Sequence, residues 1–289
     1  MTPYQVLNTG ARIPQVGLGV YKITGPGCSK LVYAALAAGY RHVDSAAFYQ
    51  NEAEVCKGIS QWLADNPGTK REDIFYTSKI WDTDHGYDKA TKAIAQALER
   101  ASPIGYIDLL LIHSPQSNYE ARHGTWLALQ EAFAKGTVKN IGVSNYGIKH
   151  LEELLAYPDL KVKPAINQFE VHPWLGRKEL IAFCRSKGIA VEAYSPLARG
   201  QKANDPYVAE IGKKYGRNAG QVLIRWSVQN GLIVLPKTAT ESRLASNLDV
   251  DFTLSDEDFA ALSALDEHYV SGWDPTTYPL DSEATLICT

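Results

Sequence analysis

The chain has 289 residues, of which 45% are hydrophobic and 21% are charged, a composition typical of globular proteins. Its formal net charge of −3 excludes the large basic surface that binding to nucleic acid or anionic lipid requires. No run of about 18 apolar residues occurs and the N-terminal stretch MTPYQVLNTGARIP lacks the apolar segment of a signal peptide, so we predict a cytoplasmic protein without a membrane or nucleic-acid partner.

The chain begins with a predicted β-hairpin over residues 1–15, and eight short apolar runs then alternate with helical segments. The hairpin turn is expected at Asn8-Thr9-Gly10. The eight predicted strands are Val16–Val20, Arg41–Asp44, Ile74–Ile80, Ile107–His113, Val138–Val143, Ala165–Phe169, Ala190–Tyr194 and Leu232–Leu235. The unbroken apolar character of IDLLLIH in the fourth strand is typical of a parallel strand that is buried on both faces.

Apolar residues at helical spacing fill the segments between these strands. In DKATKAIAQALERA, one face carries Ala90, Ile94, Ala97, Leu98 and Ala101. In AGQVLIRWSVQNG, a similar stripe ends at the stop signal Gly231. After the eighth unit, LSDEDFAALSAL predicts one further helix that Ser255 caps.

Eight strand–helix units in about 250 residues predict an α/β fold, a (β/α)₈ TIM barrel with an N-terminal hairpin and an extra C-terminal helix. No Pro-, Gly- or Ser-rich linker divides the chain, so we expect one domain over residues 1–289, with residues 267–289 as a tail near the pocket. The alternative, an open doubly wound sheet, needs Gly-x-Gly-x-x-Gly after its first strand, and GLGVYKITGPG lacks that pattern.

Polar residues stand at the carboxyl end of nearly every predicted strand, which is where a barrel of this kind places its catalytic groups. They are Asp44, Lys79, His113, Ser144, Asn145, Gln168, Tyr194, Ser195 and Lys237. One such residue is more often a cap or a solvated loop residue. Because the pattern repeats around the barrel, it predicts a functional site.

Asp44 and Lys79 end adjacent strands, so we expect the ammonium group to pair with the buried carboxylate. A free phenol has a pKa near ~10, and a neighbouring ammonium should lower the pKa of Tyr49. The sequence therefore predicts a proton-donating relay of Tyr49, Lys79 and Asp44, with His113 orienting an oxygen atom beside it.

Motifs from about residue 4 to residue 275 resemble those of the aldo-keto reductase family. These motifs are GLGVYK, GYRHVDSAAFYQNE, TSKIWDTDH, IDLLLIHSP, IGVSNY, INQFEVHP, EAYSPLARG and LPKTATESRLASN. The resemblance implies a monomeric, NADPH-dependent reductase of small-molecule aldehydes or ketones. It also implies that Asp44, Tyr49, Lys79 and His113 form the catalytic tetrad, with Tyr49 as the general acid.

The resemblance further implies the residues that bind NADPH or NADP⁺. Ser144, Asn145 and Gln168 would hold the nicotinamide carboxamide, because amide side chains both donate and accept hydrogen bonds. Tyr194 would stack on the nicotinamide ring. The remaining implied cofactor contacts are Gly19, Val20, Ser195, Leu197, Lys237, Thr238, Arg243 and Asn247. Lys237 and Arg243 would receive the 2′-phosphate, which suits the arginine fork.

The substrate pocket is implied in the same way. Its walls would be Tyr21, Phe48, Trp81, Ser114, Trp174 and Trp273. Ser114 stands where related mammalian enzymes commonly carry Trp, so we expect a comparatively open pocket. Ser246 stands where many members place an acidic residue before the adenine-contacting Asn, which leaves the strictness for NADPH over NADH open.

Two other classes of function stay open at this point. A Schiff-base aldolase would use Lys79 as a neutral amine, which pairing with Asp44 disfavours. A non-catalytic NADPH-binding regulatory relative would have no use for an intact tetrad. The histidines His42, His85, His113 and His172 show no metal-ligand spacing, so we predict no metal.

Overall fold

A computed structural model describes residues 3–202 and 204–281. Strands β1 (Tyr4–Val6) and β2 (Arg12–Pro14) pair antiparallel, which confirms the predicted hairpin. The other eight strands are β3 (Leu18–Gly19), β4 (His42–Asp44), β5 (Phe75–Ile80), β6 (Leu109–Ile112), β7 (Ile141–Ser144), β8 (Ile166–Glu170), β9 (Ala190–Tyr194) and β10 (Ile233–Leu235). Each of them overlaps one of the predicted strands.

The eight strands are parallel and pair in chain order from β3 to β10. Parallel bridges from Val16 to Val234 and from Gly19 to Lys237 join the first strand to the last. The sheet therefore closes on itself, and the predicted (β/α)₈ barrel is confirmed.

Helices connect the strands around the outside of the barrel. They are α1 (Pro26–Ala37), α2 (Glu52–Asp65), α3 (Tyr87–Arg100), α4 (Tyr119–Ala134), α5 (Ile148–Leu155), α6 (Lys178–Ser186), α7 (Pro206–Tyr215), α8 (Ala219–Gln229), α9 (Leu244–Leu248) and α10 (Asp256–Ser263). The predicted inner face of α3 is buried at Ala90, Ile94 and Ala97. The Ser255 hydroxyl accepts a hydrogen bond from the backbone N–H of Asp258, so the predicted cap of α10 is present.

Two apolar cores fix which end of the barrel is open. The larger core lies between the barrel and its helices. In the smaller core, Leu7 and Ile13 of the hairpin pack with Phe75, Leu109 and Ile233, the first residues of their strands. The hairpin therefore closes the amino end of the barrel and leaves the carboxyl end for a site. Within the described ranges, the structure contains no helix of the length and apolarity that a membrane crossing needs.

Candidate active site

A cavity of about 860 Å³ opens at the carboxyl ends of the strands. Its volume falls within the range of ligand sites, roughly 300–1,000 Å³. The structure brings most of the predicted site residues together around it: Gly19, Tyr21, Asp44, Phe48, Tyr49, Trp81, His113, Ser144, Asn145, Gln168, Tyr194, Ser195, Leu197, Lys237, Thr238, Arg243 and Trp273. Part of the predicted C-terminal tail thus reaches the cavity through Trp273, and residues 282–289 of that tail lie outside the described residues.

Asp44, Lys79 and Tyr49 form one hydrogen-bonded unit at the base of the cavity. Lys79 Nζ donates to Asp44 Oδ1 at 2.7 Å, to the carbonyl oxygen of Ser45 at 2.8 Å and to the Tyr49 hydroxyl at 3.4 Å. The parallel pairing of β4 with β5 sets the carboxylate beside the ammonium group. A short 3₁₀ helix, Ala47–Tyr49, follows β4 and turns the phenol back over the strand end.

The electrostatics of this unit differ in one respect from the sequence prediction. Burial is the largest single effect on Lys79 and opposes its charge, but the acidic groups around it, Asp44 first among them, together raise the pKa of Lys79 above its usual value. Burial raises the pKa of Tyr49, and the ammonium of Lys79 offsets only part of that rise. The predicted lowering of the Tyr49 pKa is therefore wrong, because desolvation of the phenolate is the larger effect. Tyr49 stays protonated at neutral pH, which a proton donor requires.

His113 lies beside Tyr49 as a neutral imidazole. Burial and the charge of Lys79 hold the pKa of His113 well below its usual value. Its ring centroid lies 5.7 Å from that of Tyr49, 5.0 Å from that of Trp81 and 6.2 Å from that of Trp273. A neutral imidazole has one N–H donor, so His113 is able to bind an oxygen atom next to the phenol without carrying charge.

Asn145 and Gln168 have their amide N–H groups engaged within the protein. Asn145 Nδ2 donates to the carbonyl oxygen of His113 and to Ser144 Oγ, both at 3.0 Å. Gln168 Nε2 donates to Asp44 Oδ2 at 2.8 Å and to Glu192 Oε2 at 2.7 Å. Both residues line the cavity, so a ligand meets their amide oxygens, of which Asn145 Oδ1 already accepts from the Tyr194 hydroxyl at 2.8 Å and keeps one lone pair. Two acceptors of this kind fit the amino group of a nicotinamide carboxamide.

Four cationic side chains line the same cavity: Lys22, Arg199, Lys237 and Arg243. All four are exposed, and none forms an ion pair with another residue in the part of the chain that the structure describes. Such a set fits the phosphates of a dinucleotide. Sequence reasoning missed Lys22 and Arg199 because it searched strand ends only, although both stand within the motifs GLGVYK and EAYSPLARG.

The remaining predicted residues, Val20, Lys79, Ser114, Trp174 and Asn247, do not line the cavity. Lys79 lies behind Asp44 and Tyr49. Ser114 is fully buried, and its hydroxyl donates to Asp82 Oδ1 at 2.7 Å. Trp174 is buried under Lys202, whose Nζ lies 5.7 Å from its ring centroid, so neither Ser114 nor Trp174 walls the pocket as predicted.

No group of three or more His, Cys, Asp and Glu side chains in residues 3–202 and 204–281 is arranged to hold a metal ion.

Comparisons with known proteins agree along most of the chain. Residues 23–267 match the model of the family described as "Aldo/keto reductase family". An uncharacterized oxidoreductase of Saccharomyces cerevisiae is 48% identical over 275 residues, which cover 94% of this chain and 98% of the relative. The glyoxal reductase of Bacillus subtilis is 40% identical over 272 residues, or 93% of this chain and 95% of that protein. A crystal structure of an aldo/keto reductase from Brucella melitensis matches with a TM-score of 0.86 and 39% identity, over 92% of this chain and 100% of that one.

Proposed function

The chain belongs to the aldo/keto reductase family, and from that premise we propose that it reduces aldehyde or ketone carbonyls to alcohols with NADPH. Membership of this family makes the protein an oxidoreductase. The observation that carries the proposal is the Tyr49 hydroxyl, which lies at the cavity 3.4 Å from Lys79 Nζ, itself 2.7 Å from Asp44 Oδ1.

The chain's own residues supply the proton of this reaction. When bound, NADPH would deliver a hydride to the carbonyl carbon. Tyr49 donates its proton to the carbonyl oxygen, and the negative charge left on the phenolate develops beside the ammonium of Lys79. Asp44 holds that ammonium in place, and the N–H of His113 binds the same carbonyl oxygen.

NADPH fits the cations that line the cavity. Lys237 and Arg243 would hold the 2′-phosphate, while Lys22 and Arg199 add positive charge for the diphosphate. The other proposed contacts are Gly19, Val20, Ser144, Asn145, Gln168, Tyr194, Ser195, Leu197, Thr238 and Asn247. Cytoplasmic location and the monomeric state stay predictions from the sequence.

The two alternatives have less support. A Schiff-base aldolase needs an accessible neutral amine, whereas Lys79 does not line the cavity, and the acidic groups around it, Asp44 first among them, together raise its pKa against the effect of burial. A regulatory subunit that only binds NADPH has no need of the bonded Tyr49, Lys79 and Asp44. Borohydride trapping with a carbonyl substrate should therefore leave the protein unmodified.

The direct test is a panel of aldehydes, ketones and ketoesters, assayed by the loss of NADPH absorbance. Glyoxal enters the panel because one relative is a glyoxal reductase. We expect turnover with at least one aldehyde. A wild-type protein that binds NADPH but reduces no member of the panel would favour the regulatory alternative instead.

A further inference from the structure

The proposed reaction leaves one buried carboxyl group, Glu192, without a role. Glu192 lies in the middle of β9, where it pairs in register with Gln168 of β8, and its side chain is fully buried. Its Oε2 accepts a hydrogen bond from Gln168 Nε2 at 2.7 Å. Its Oε1 has no assigned hydrogen bond, and the nearest basic atom is His42 Nε2 at 3.4 Å.

The tautomer of His42 follows from its surroundings. Its Nδ1 lies 3.3 Å from the carbonyl oxygen of Pro14, which only accepts hydrogen bonds, so Nδ1 carries the hydrogen. Burial lowers the pKa of His42 to about 3, so the ring is neutral and Nε2 is an acceptor, which the Thr77 hydroxyl also approaches at 3.4 Å. The ring packs so closely on Gly17 that a Cβ there would lie 2.6 Å from Nδ1, which leaves the imidazole little freedom to turn.

This geometry decides where Glu192 carries a proton. With Glu192 ionised, Oε1 and His42 Nε2 would be two buried acceptors facing each other at 3.4 Å. With a hydrogen on Oε1, the same contact becomes an O–H···N hydrogen bond that satisfies Oε1, the atom without another partner, and the Thr77 hydroxyl is then the second donor near Nε2.

The charges around Glu192 lead to the same assignment. The charged or titratable groups that face it are Asp44 and His42 of β4 and Lys79 of β5. Strands β3, β6, β7 and β10 contain no ionisable residue. One ammonium, that of Lys79, is available, and it already pairs with Asp44. Burial and the charge of Asp44 raise the pKa of Glu192 to about 8.

We propose that Glu192 is a positioning residue that stays protonated at neutral pH and fixes the Gln168 amide with its oxygen toward the cavity. Both N–H bonds of Gln168 Nε2 are taken, one by Asp44 and one by Glu192, so the amide has no reason to flip. Its Oε1 is thereby presented to a ligand N–H group. The identity of that ligand as a nicotinamide carboxamide rests on the proposed function.

The protonation is tested without any cofactor. We expect the infrared spectrum of the wild type, with labelled glutamate, to show a carboxylic acid C=O band at neutral pH that E192Q lacks and that disappears as the pH rises past about 8. A neutral-pH difference spectrum that contains only carboxylate bands would overturn the protonated state, whether or not the protein reduces carbonyls.

The pH dependence of stability gives a second readout of the same proton. Since the folded pKa lies above the ordinary 4.5, the folded state keeps the proton while the unfolded state releases it. The contribution of Glu192 to stability is therefore fully present below pH 4.5 and is lost as the pH rises toward about 8. E192Q should remove this fall in the free energy of unfolding, and an identical pH slope in both proteins would contradict the proposal.

The positioning role is tested with NADPH and with its 3-acetylpyridine analogue, in which a methyl group replaces the carboxamide amino group. Quenching of Trp81 and Trp273, which line the cavity, measures both dissociation constants. E192L removes one of the two hydrogen bonds that hold the Gln168 amide. The dissociation constant of NADPH should therefore rise by about tenfold, the value of one hydrogen bond, and that of the analogue much less. E192Q, which still accepts from Gln168 and donates to His42, should recover most of the NADPH affinity.

If E192L raised the dissociation constants of NADPH and of the analogue equally, the positioning role would be overturned and a purely structural role indicated. Failure of the wild type to bind NADPH would overturn the proposed function and the cofactor step of this inference together. The infrared comparison is independent of both results and of whether E192L folds, because it uses only the wild type and the nearly isosteric E192Q.

Discussion

On one side of the cavity, Asp44, Lys79 and Tyr49 are bonded to one another and largely removed from solvent, whereas on another Lys237 and Arg243 are exposed and form no ion pair with a described residue. We call these the tyrosine side and the cationic side. Groups that are already paired hold their geometry before a ligand arrives. Unpaired cations gain their partners only from the ligand. Substitutions on the tyrosine side should therefore change rate and stability, and those on the cationic side should change affinity.

The largest expected effect is that of Lys79→Met. It removes the charge beside Tyr49 and leaves the carboxylate of Asp44 buried without its cation, so we expect a loss of about 3–5 kcal/mol in the free energy of unfolding. Carbonyl reduction should fall by at least about 10²-fold. Denaturant unfolding and steady-state kinetics measure the two losses.

The double variant Lys79→Met with Asp44→Asn is the matched control. It removes the unpaired charge, so it should regain much of the stability but none of the activity. A single Lys79→Met variant that stays active with an unchanged pH profile would separate Lys79 from the chemistry.

Tyr49→Phe should affect the rate alone. The aromatic ring keeps its packing and only the hydroxyl group with its proton is lost, so we expect kcat/KM to fall by about 10²–10⁴-fold. The dissociation constant for NADPH and the free energy of unfolding should stay close to the wild-type values. Retention of more than about a tenth of wild-type kcat/KM would assign the general acid to another group.

The sequence predicted the barrel and much of the tyrosine side for one physical reason. Parallel strands buried on both faces are continuous apolar runs, so their ends are visible in the sequence and the polar residues there must converge. Asp44, Lys79 and His113 were found in this way, and the structure brings all three together. Tyr49 does not end a strand, and it is the 3₁₀ helix Ala47–Tyr49 of the structure that returns its phenol to the end of β4.

Other features depend on quantities that a linear pattern does not contain. The pKa of Tyr49 depends on how burial compares with the pull of Lys79, and burial is the larger effect. Ser114 lies in the motif IDLLLIHSP and Trp174 directly follows INQFEVHP, but both side chains are buried and do not line the cavity. Glu192 left a readable signal, a carboxyl group inside the apolar run AVEAY, which a search restricted to strand ends passes over.

On the cationic side, Arg243→Ala should raise the dissociation constant of NADPH by at least about tenfold, since a charge-assisted hydrogen bond contributes about 1.5–3 kcal/mol. NADH has a hydroxyl group in place of the 2′-phosphate, so its weaker affinity should change much less. Stability and the rate at saturating NADPH should stay near wild type.

Arg12→Ala is the control for the charge itself, because Arg12 is exposed on the hairpin at the closed end of the barrel. Arg12→Ala should alter neither the dissociation constant of NADPH nor that of NADH. If Arg243→Ala weakened NADPH and NADH equally, Arg243 would be supporting the adenine or the fold, and a wild type indifferent to the 2′-phosphate would be a dual-specificity enzyme.

The smallest expected effect, that of salt, separates the two sides within the unmodified protein. Between about 0.01 M and 0.15 M ionic strength the Debye length falls from about 30 Å to about 8 Å, which screens exposed charges far more than buried pairs. The dissociation constant of NADPH should therefore rise severalfold. The value of kcat at saturating NADPH should stay nearly constant, because the ion pair of Lys79 and Asp44 is buried and its N···O distance is only 2.7 Å. Arg243→Ala should flatten the salt dependence of binding, since one screened contact is gone, and Arg12→Ala should leave it as steep. If kcat fell together with the affinity for NADPH, the tyrosine side would be as open to solvent as the cationic side. The distinction between charges that are paired before the ligand binds and charges that only the ligand pairs would then not hold for this barrel.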